Sequence, residues 1–287
     1  MSLFTFGLDL ASRLVPRVPR RIAYAIADIA GMALYALATR PRRVYVDNVA
    51  TVIDRGDPDL VALRAREAFR TQARNYVDLF SLSRLTRADL DAIVTFSGEQ
   101  HLIGALARGR GAIVLTGHIG NIDIVIQVGP AHGYRVILPV ERIEPPELLD
   151  AVVRLRASHG IDVVPIDDRT GLRIVRALRR GYIAAIALDR DSRGTGRSTA
   201  FLGRRARLAD AAAIIAARVG TPIVPVVTRR VGDRLELEAW PPIVPGEDGA
   251  DSADDIFRRC VDAVETMIRR TPGQWVMFQP LFDRPKA

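Results

Sequence analysis

A chain of 287 residues, 48% hydrophobic and 26% charged, is long enough to bury a large core and is not composed like a disordered or fibrous protein. Its formal net charge of +8 comes almost wholly from arginine, Lys286 being the one lysine. This favours anionic partners such as phospholipid headgroups, phosphorylated substrates or nucleic acid, without choosing among them. The single cysteine, Cys260, excludes an internal disulfide framework and a cysteine-rich zinc site, and suits a reducing compartment.

Asp9, Arg13 and Arg17 interrupt the early apolar residues, so the N-terminus does not read as a secretory signal. Residues 21–40, RIAYAIADIAGMALYALATR, are apolar nearly all round, with Asp28 as the one internal charge. The uncharged run 29–39 is too short for a bilayer core of about 30 Å, which needs roughly 20 residues. Arg13, Arg17, Arg20 and Arg21 on one side and Arg40, Arg42 and Arg43 on the other suit a helix lying on an anionic membrane surface. A buried helix capped by arginines is the competing reading.

Residues 59–83 carry helical periodicity in Leu63, Ala68, Phe69, Ala73, Tyr76, Val77 and Phe80. A short helix over 99–108 leads through RGRG into the strand AIVLT. Strands are then expected at 135–140, 161–165, 182–188, 222–229 and 233–240, and helices at 145–158, 169–179, 208–218 and 253–270. The alternation predicts an α/β fold: a central, mostly parallel sheet with helices on both faces, in a single domain 1–287 whose residues 1–45 form a membrane-associating helical segment. The last helix has Ser252 as its cap and Asp254 and Asp255 near its N-terminus.

The stretch AIVLTGHIGNIDIVI, residues 112–126, carries the chemistry. Gly117 and Gly120 permit a sharp turn after the strand and place His118 at the C-terminal edge of the sheet, where open α/β sheets bind ligands. On a regular helix, positions five apart lie about 140° apart, so His118 and Asp123 meet only if the segment turns. If it does, Asp123 can accept the N–H of one imidazole nitrogen and leave the other free to take a proton from a hydroxyl. Alternatively, His118 starts a helix that Asn121 and Asp123 cap. Asp189 and Asp191, in DRD after the strand 182–188, sit at the same sheet edge, and either can complete the carboxylate surroundings of His118. The arginine-rich loop that follows, with Arg190, Arg193, Arg197, Arg204, Arg205 and Arg207, can grip phosphates or be a solvated basic loop; it lacks the lysine of a Walker-type loop.

The segment GHIGNID resembles the H-x4-D block of the glycerolipid acyltransferase superfamily, and VLTGHIGNIDI resembles its lipid A and phosphatidylinositol mannoside branch. The resemblance extends through RRVYVDNV at 42–49, REAFRTQARNYVDLF at 66–80, VERIEP at 140–145, ALDRDSRGTGRSTAFLGRRARL at 187–208, GTPIVPVV at 220–227 and PGQWVMFQPLF at 272–282. It implies transfer of a fatty acyl chain from acyl-CoA, palmitoyl-CoA-like, or from acyl carrier protein to a hydroxyl of a membrane glycolipid. His118 then matches the family base and Asp123 its orienting carboxylate, while Asp189 and Asp191 are further catalytic candidates. Gly117, Asn121, Glu141, Arg142, Arg156, Arg190, Arg197 and Arg204 are the substrate-binding candidates. An arginine near the base can hold donor phosphates or an oxyanion; an ordinary surface ion pair is the alternative. Ile122 departs from the tryptophan common before the acidic residue.

The C-terminal block looks more like the phosphatidylinositol mannoside acyltransferases than the lipid A enzymes. A lipid A-type or lysophospholipid acyltransferase is the nearest alternative, and a non-catalytic lipid-binding protein the alternative from another class. The sequence shows no G-x-S-x-G elbow and no H-E-x-x-H, and its remaining histidines lack metal-ligand spacing, so no metal or bound cofactor is expected. Nucleic acid is not an expected partner, since aromatics are only 6% and no recognition motif accompanies the arginines. The expected location is peripheral, on the cytoplasmic face of the plasma (inner) membrane.

Overall fold

A computed structural model of the chain describes residues 10–53, 57–246 and 251–283. Residues 1–9 of the expected membrane-associating segment, and Lys286, lie outside them. The chain alternates helices and strands: α1 Arg20–Leu37, α2 Thr39–Val49, α3 Pro58–Ser81, α4 Arg87–Ile93, β1 Val94–Ser97, α5 Glu99–Ala107, β2 Ala112–Thr116 and α6 Ile122–Ala131. There follow β3 Val136–Val140, α7 Pro146–Arg156, β4 Asp162–Pro165, α8 Thr170–Arg179, β5 Ile183–Ala187, β6 Arg197–Phe201 and β7 Arg204–Leu208. Helix α9 Ala211–Val219, strands β8 Ile223–Val231 and β9 Arg234–Ala239, and helix α10 Ala253–Arg270 complete the order.

Seven strands form one sheet in the order β1-β9-β8-β2-β5-β3-β4. Every neighbouring pair is parallel except β8 and β9, which a tight turn at Gly232 joins as an antiparallel hairpin. The central strands are apolar on both sides because helices cover both faces. Ile113 and Leu115 of β2 join one buried cluster with Cys260, Val264 and Met267 of α10, while Ala112 joins a second with Ile124 and Val125 of α6. Helix α10 forms as expected: Ser252 accepts from the Asp255 N–H, and an apolar stripe including Ile256, Cys260, Val264 and Met267 repeats at helical spacing. Burial in that stripe pushes the Cys260 thiol pKa up to about 12, which leaves it a packing residue.

Two expectations are corrected. The N-terminal apolar stretch is not one helix to Arg40: α1 stops at Leu37, and α2 leaves it at 92°. No single helix among the described residues is long and apolar enough to cross a membrane, though the bent pair would pass by length and composition. The arginine-rich segment after β5 is not simply a loop, because β6 and β7 pair there as an antiparallel hairpin, turning at Leu202 and Gly203, both with positive φ. Its sequence alternates buried Phe201, Ala206 and Leu208 with more exposed arginines, a strand pattern hidden by the glycines around it.

Helix α1 packs on α3 through Ala23, Tyr24, Ala27 and Gly31. A side chain at Gly31 would bring its Cβ within 2.8 Å of the Phe69 carbonyl and 2.9 Å of Arg70 Cα. Only glycine permits that approach. Gly31→Val is therefore expected to lower stability by about 1–3 kcal/mol, the range for overpacking, read as a lower urea midpoint with unchanged m-value.

Candidate active site

Strands β2 and β5 are parallel neighbours with Thr116 opposite Ala187. Two residues beyond each of these paired positions come His118 and Asp189, so the sheet register itself brings them together. The His118 Nδ1 lies 2.7 Å from Asp189 Oδ1, and the His118 backbone N–H donates to Oδ2 at 2.8 Å. Trp275, fully buried, donates its Nε1–H to the same Oδ2 at 2.8 Å. Gly117 lets the carboxylate sit this close, since a Cβ there would lie 3.1 Å from Asp189 Oδ2.

Asp189 is wholly buried, whereas the His118 side chain keeps 33% exposure. With Nδ1 facing a carboxylate, the ring donates from Nδ1 and presents Nε2 as its free acceptor. Burial opposes charge on the ring, but the adjacent Asp189, helped by Glu141 and opposed by Arg190, raises the His118 pKa above its ordinary 6.5. Burial also pushes Asp189 upward, and the His118 ring and N–H together with Trp275 outweigh it, holding the carboxyl below the usual range.

Asp123 does not hold the imidazole. Helix α6 has already begun at Ile122, which carries Asp123 onto the helix, where it accepts from Arg156 Nε at 2.6 Å. The choice between Asp189 and Asp191 is also resolved geometrically: Asp191 accepts from the backbone N–H groups of Arg193 and Gly196 and shapes the loop. Arg190 pairs with Glu141, whose Oε1 is buried without a hydrogen-bond partner among the described residues. Arg142 is exposed and makes no ion pair among the described residues. Arg197 pairs with Asp254 and Asp210, and Arg204 with Asp47 while lying over the Phe282 ring. Both fasten the β6–β7 hairpin to its surroundings.

Asn121 is 1% exposed, with its amide used inside the fold: Oδ1 caps α6 at the Ile124 N–H, and Nδ2 donates to Asp78. The turn 118–121 is held from the other side by the C-terminal segment. Val276 N–H donates to the His118 carbonyl, and Gly120 N–H donates to the Gln274 carbonyl. Gly120 has φ +64°, and a Cβ there would meet Thr228 Oγ1 at 2.4 Å. Trp275, Gln274, Asn75, Asp78 and Arg230 were not among the site residues expected from sequence. Signals for three of them were present: Thr71, Asn75 and Asp78 form a polar stripe at helical spacing on the buried face of α3, and Arg230 occupies an inward register position of β8.

A family model described as bacterial lipid A biosynthesis acyltransferase matches residues 7–284. The chain belongs to this family. It is thus an acyltransferase. It is 25% identical over 278 residues to the phosphatidylinositol mannoside acyltransferase of Mycolicibacterium smegmatis, covering 96% of this chain and 90% of that protein. It is 26% identical over 221 residues to the protein of the same name from Mycobacterium tuberculosis strain H37Rv, covering 75% of this chain and 65% of that one.

The His118–Asp189 pair sets a titration test. Among the chain's four histidines, His118 is expected to titrate above 6.5 by NMR, and Asp189→Asn to lower its midpoint from the wild-type value. Because the folded His118 value exceeds the unfolded one and the folded Asp189 value lies below its own, the pair stabilises the fold between the ordinary carboxyl and imidazole values, and loses that contribution as pH rises through the raised His118 midpoint or falls through the lowered Asp189 one. Equal midpoints in the two proteins would remove the pair's electrostatic role.

Proposed function

We propose that this acyltransferase moves a fatty acyl chain from an acyl-CoA or acyl carrier protein thioester to a hydroxyl of a membrane glycolipid, one similar to phosphatidylinositol mannoside. The observation that carries the reading is the partly exposed imidazole of His118, whose Nδ1 is fixed by a buried carboxylate and whose Nε2 has no partner among the described residues. In this reading Nε2 takes the proton of the acceptor hydroxyl as its oxygen attacks the thioester carbonyl. The C–O bond forms, the C–S bond breaks, and the departing thiolate takes the proton back from the imidazolium. Asp189 stabilises the imidazolium without itself changing protonation. Exposed Arg142 supplies a cation for donor or headgroup phosphates.

The acceptor assignment rests on the names of the mycobacterial relatives. Support for peripheral membrane association comes from α1. Its outer face exposes Ile22, Ile26, Ile29 and Leu37, the last two at 72% and 79%. Asp28, the one acid in the helix, turns to Arg70 and Arg74 of α3 at 2.7 Å, so no anion interrupts that face. Exposed Arg13, Arg17, Arg21, Arg40 and Arg43 flank it, complementary to the anionic headgroups of a cytoplasmic leaflet.

Two measurements test this. Thioester consumption from palmitoyl-CoA with phosphatidylinositol mannoside is expected in the wild type, and folded His118→Ala is expected to lose roughly 100-fold or more in rate. A folded His118→Ala with wild-type turnover overturns the base assignment. In flotation with phosphatidylglycerol vesicles, the double variant Ile26→Glu, Ile29→Glu is expected to weaken binding by at least about tenfold, from the loss of two apolar side chains; unchanged flotation overturns the membrane face.

A further inference from the structure

The buried charges of the chain converge beneath the turn that carries His118. Asp78 and Arg230 have side chains only 3% and 5% exposed and meet at 2.6 Å. The Asp78 carboxylate is saturated. Oδ1 accepts from the Tyr24 hydroxyl at 2.6 Å and from Arg20 at 3.1 Å, and Oδ2 accepts from Asn121 Nδ2 and Arg230 Nη2, each at 2.6 Å. Arg230 also donates to the Tyr24 oxygen at 2.8 Å and to Asn75 Oδ1 at 3.2 Å. Asn75 Nδ2 in turn donates to the Gly120 carbonyl at 2.7 Å.

The main chain of Arg230 closes the ring. Its N–H donates to Gln274 Oε1 at 2.6 Å, its carbonyl accepts from Gln274 Nε2 at 2.8 Å, and the Gln274 carbonyl accepts from the Gly120 N–H. Both polar groups of Gly120 and the amide nitrogen of Asn121 thus depend on one arginine and three of its partners, Gln274, Asn75 and Asp78. A buried ion pair is a poor device for stability alone, since well-packed apolar residues often do as well or better. A site held to a fraction of an ångström is a better reason for it.

We propose that Asp78, Arg230 and Asn75 are positioning residues for the acyl-transfer reaction: they set the Gly120–Asn121 turn and thereby keep His118 against Asp189. This rests on the reading of His118 as the base. Because Tyr24 and Arg20 belong to α1, the same network ties the apolar N-terminal helix to the catalytic turn through two side chains. The charged groups facing His118 are Asp189, Glu141 and Arg190, and none of them is altered by changes in the network.

The test uses the full chain with Asn75→Ala, which removes the tether to Gly120 and spares the ion pair, and with Asn121→Ser, which keeps an N-cap and drops the amide to Asp78. Each is checked for cooperative urea unfolding. Expected in either folded variant are a fall in kcat of about 10- to 100-fold, the scale for a displaced catalytic group, and a donor KM within about twofold of wild type. The His118 NMR midpoint is expected to move down towards 6.5 as its hold on Asp189 loosens. Wild-type kcat and midpoint in folded variants overturn the proposal. The titration needs no turnover, so a wild type inactive with palmitoyl-CoA and the glycolipid would count against the acyl-transfer reading, while an unmoved midpoint would still count against the network.

Discussion

One buried carboxylate organises the candidate site. Asp189 has no exposure and takes hydrogen bonds from the His118 ring, the His118 backbone and the Trp275 indole. These donors come from the end of β2 and from the C-terminal segment, so satisfying one acid joins the sheet edge to the last stretch of the fold. An ionised carboxyl without such partners would not survive burial. The partners therefore explain both why it remains ionised and why the imidazole beside it favours its proton.

Much of this was legible in the chain. The apolar runs and their glycine punctuation predict the parallel core and the position of His118, and the capped acidic entry predicts α10. What misled was the short spacing from His118 to Asp123, which invites pairing along the sequence. The real partner is 71 residues away, because parallel neighbours in a sheet are distant in the chain. Only the register of β2 on β5 reveals that His118 and Asp189 share an offset from paired residues. The hairpin β6–β7 was hidden for a related reason: arginines and glycines suggest a loop until the buried alternation of Phe201, Ala206 and Leu208 is known.

The second buried centre, around Asp78 and Arg230, shows how α3 contributes without reaching the sheet edge. Its polar stripe lies on a face that should be apolar, and Asn75 and Asp78 are bonded to other elements. Helix α1 covers this centre with Tyr24 and turns its isoleucines outward, so one helix meets the buried network on one side and the solvent on the other.

The shared offset on β2 and β5 has a consequence for how the protein can form and change. A slip of one residue between these strands would move His118 about 3.3 Å along Asp189 and turn its side chain to the opposite face of the sheet. The imidazole–carboxylate contact therefore arises only with native strand pairing. Between these strands, surface connections can lengthen or shorten at modest entropic cost. Insertions within either strand cannot be accommodated in that way, which divides the chain into regions free to drift and a narrow frame that evolution must leave in phase.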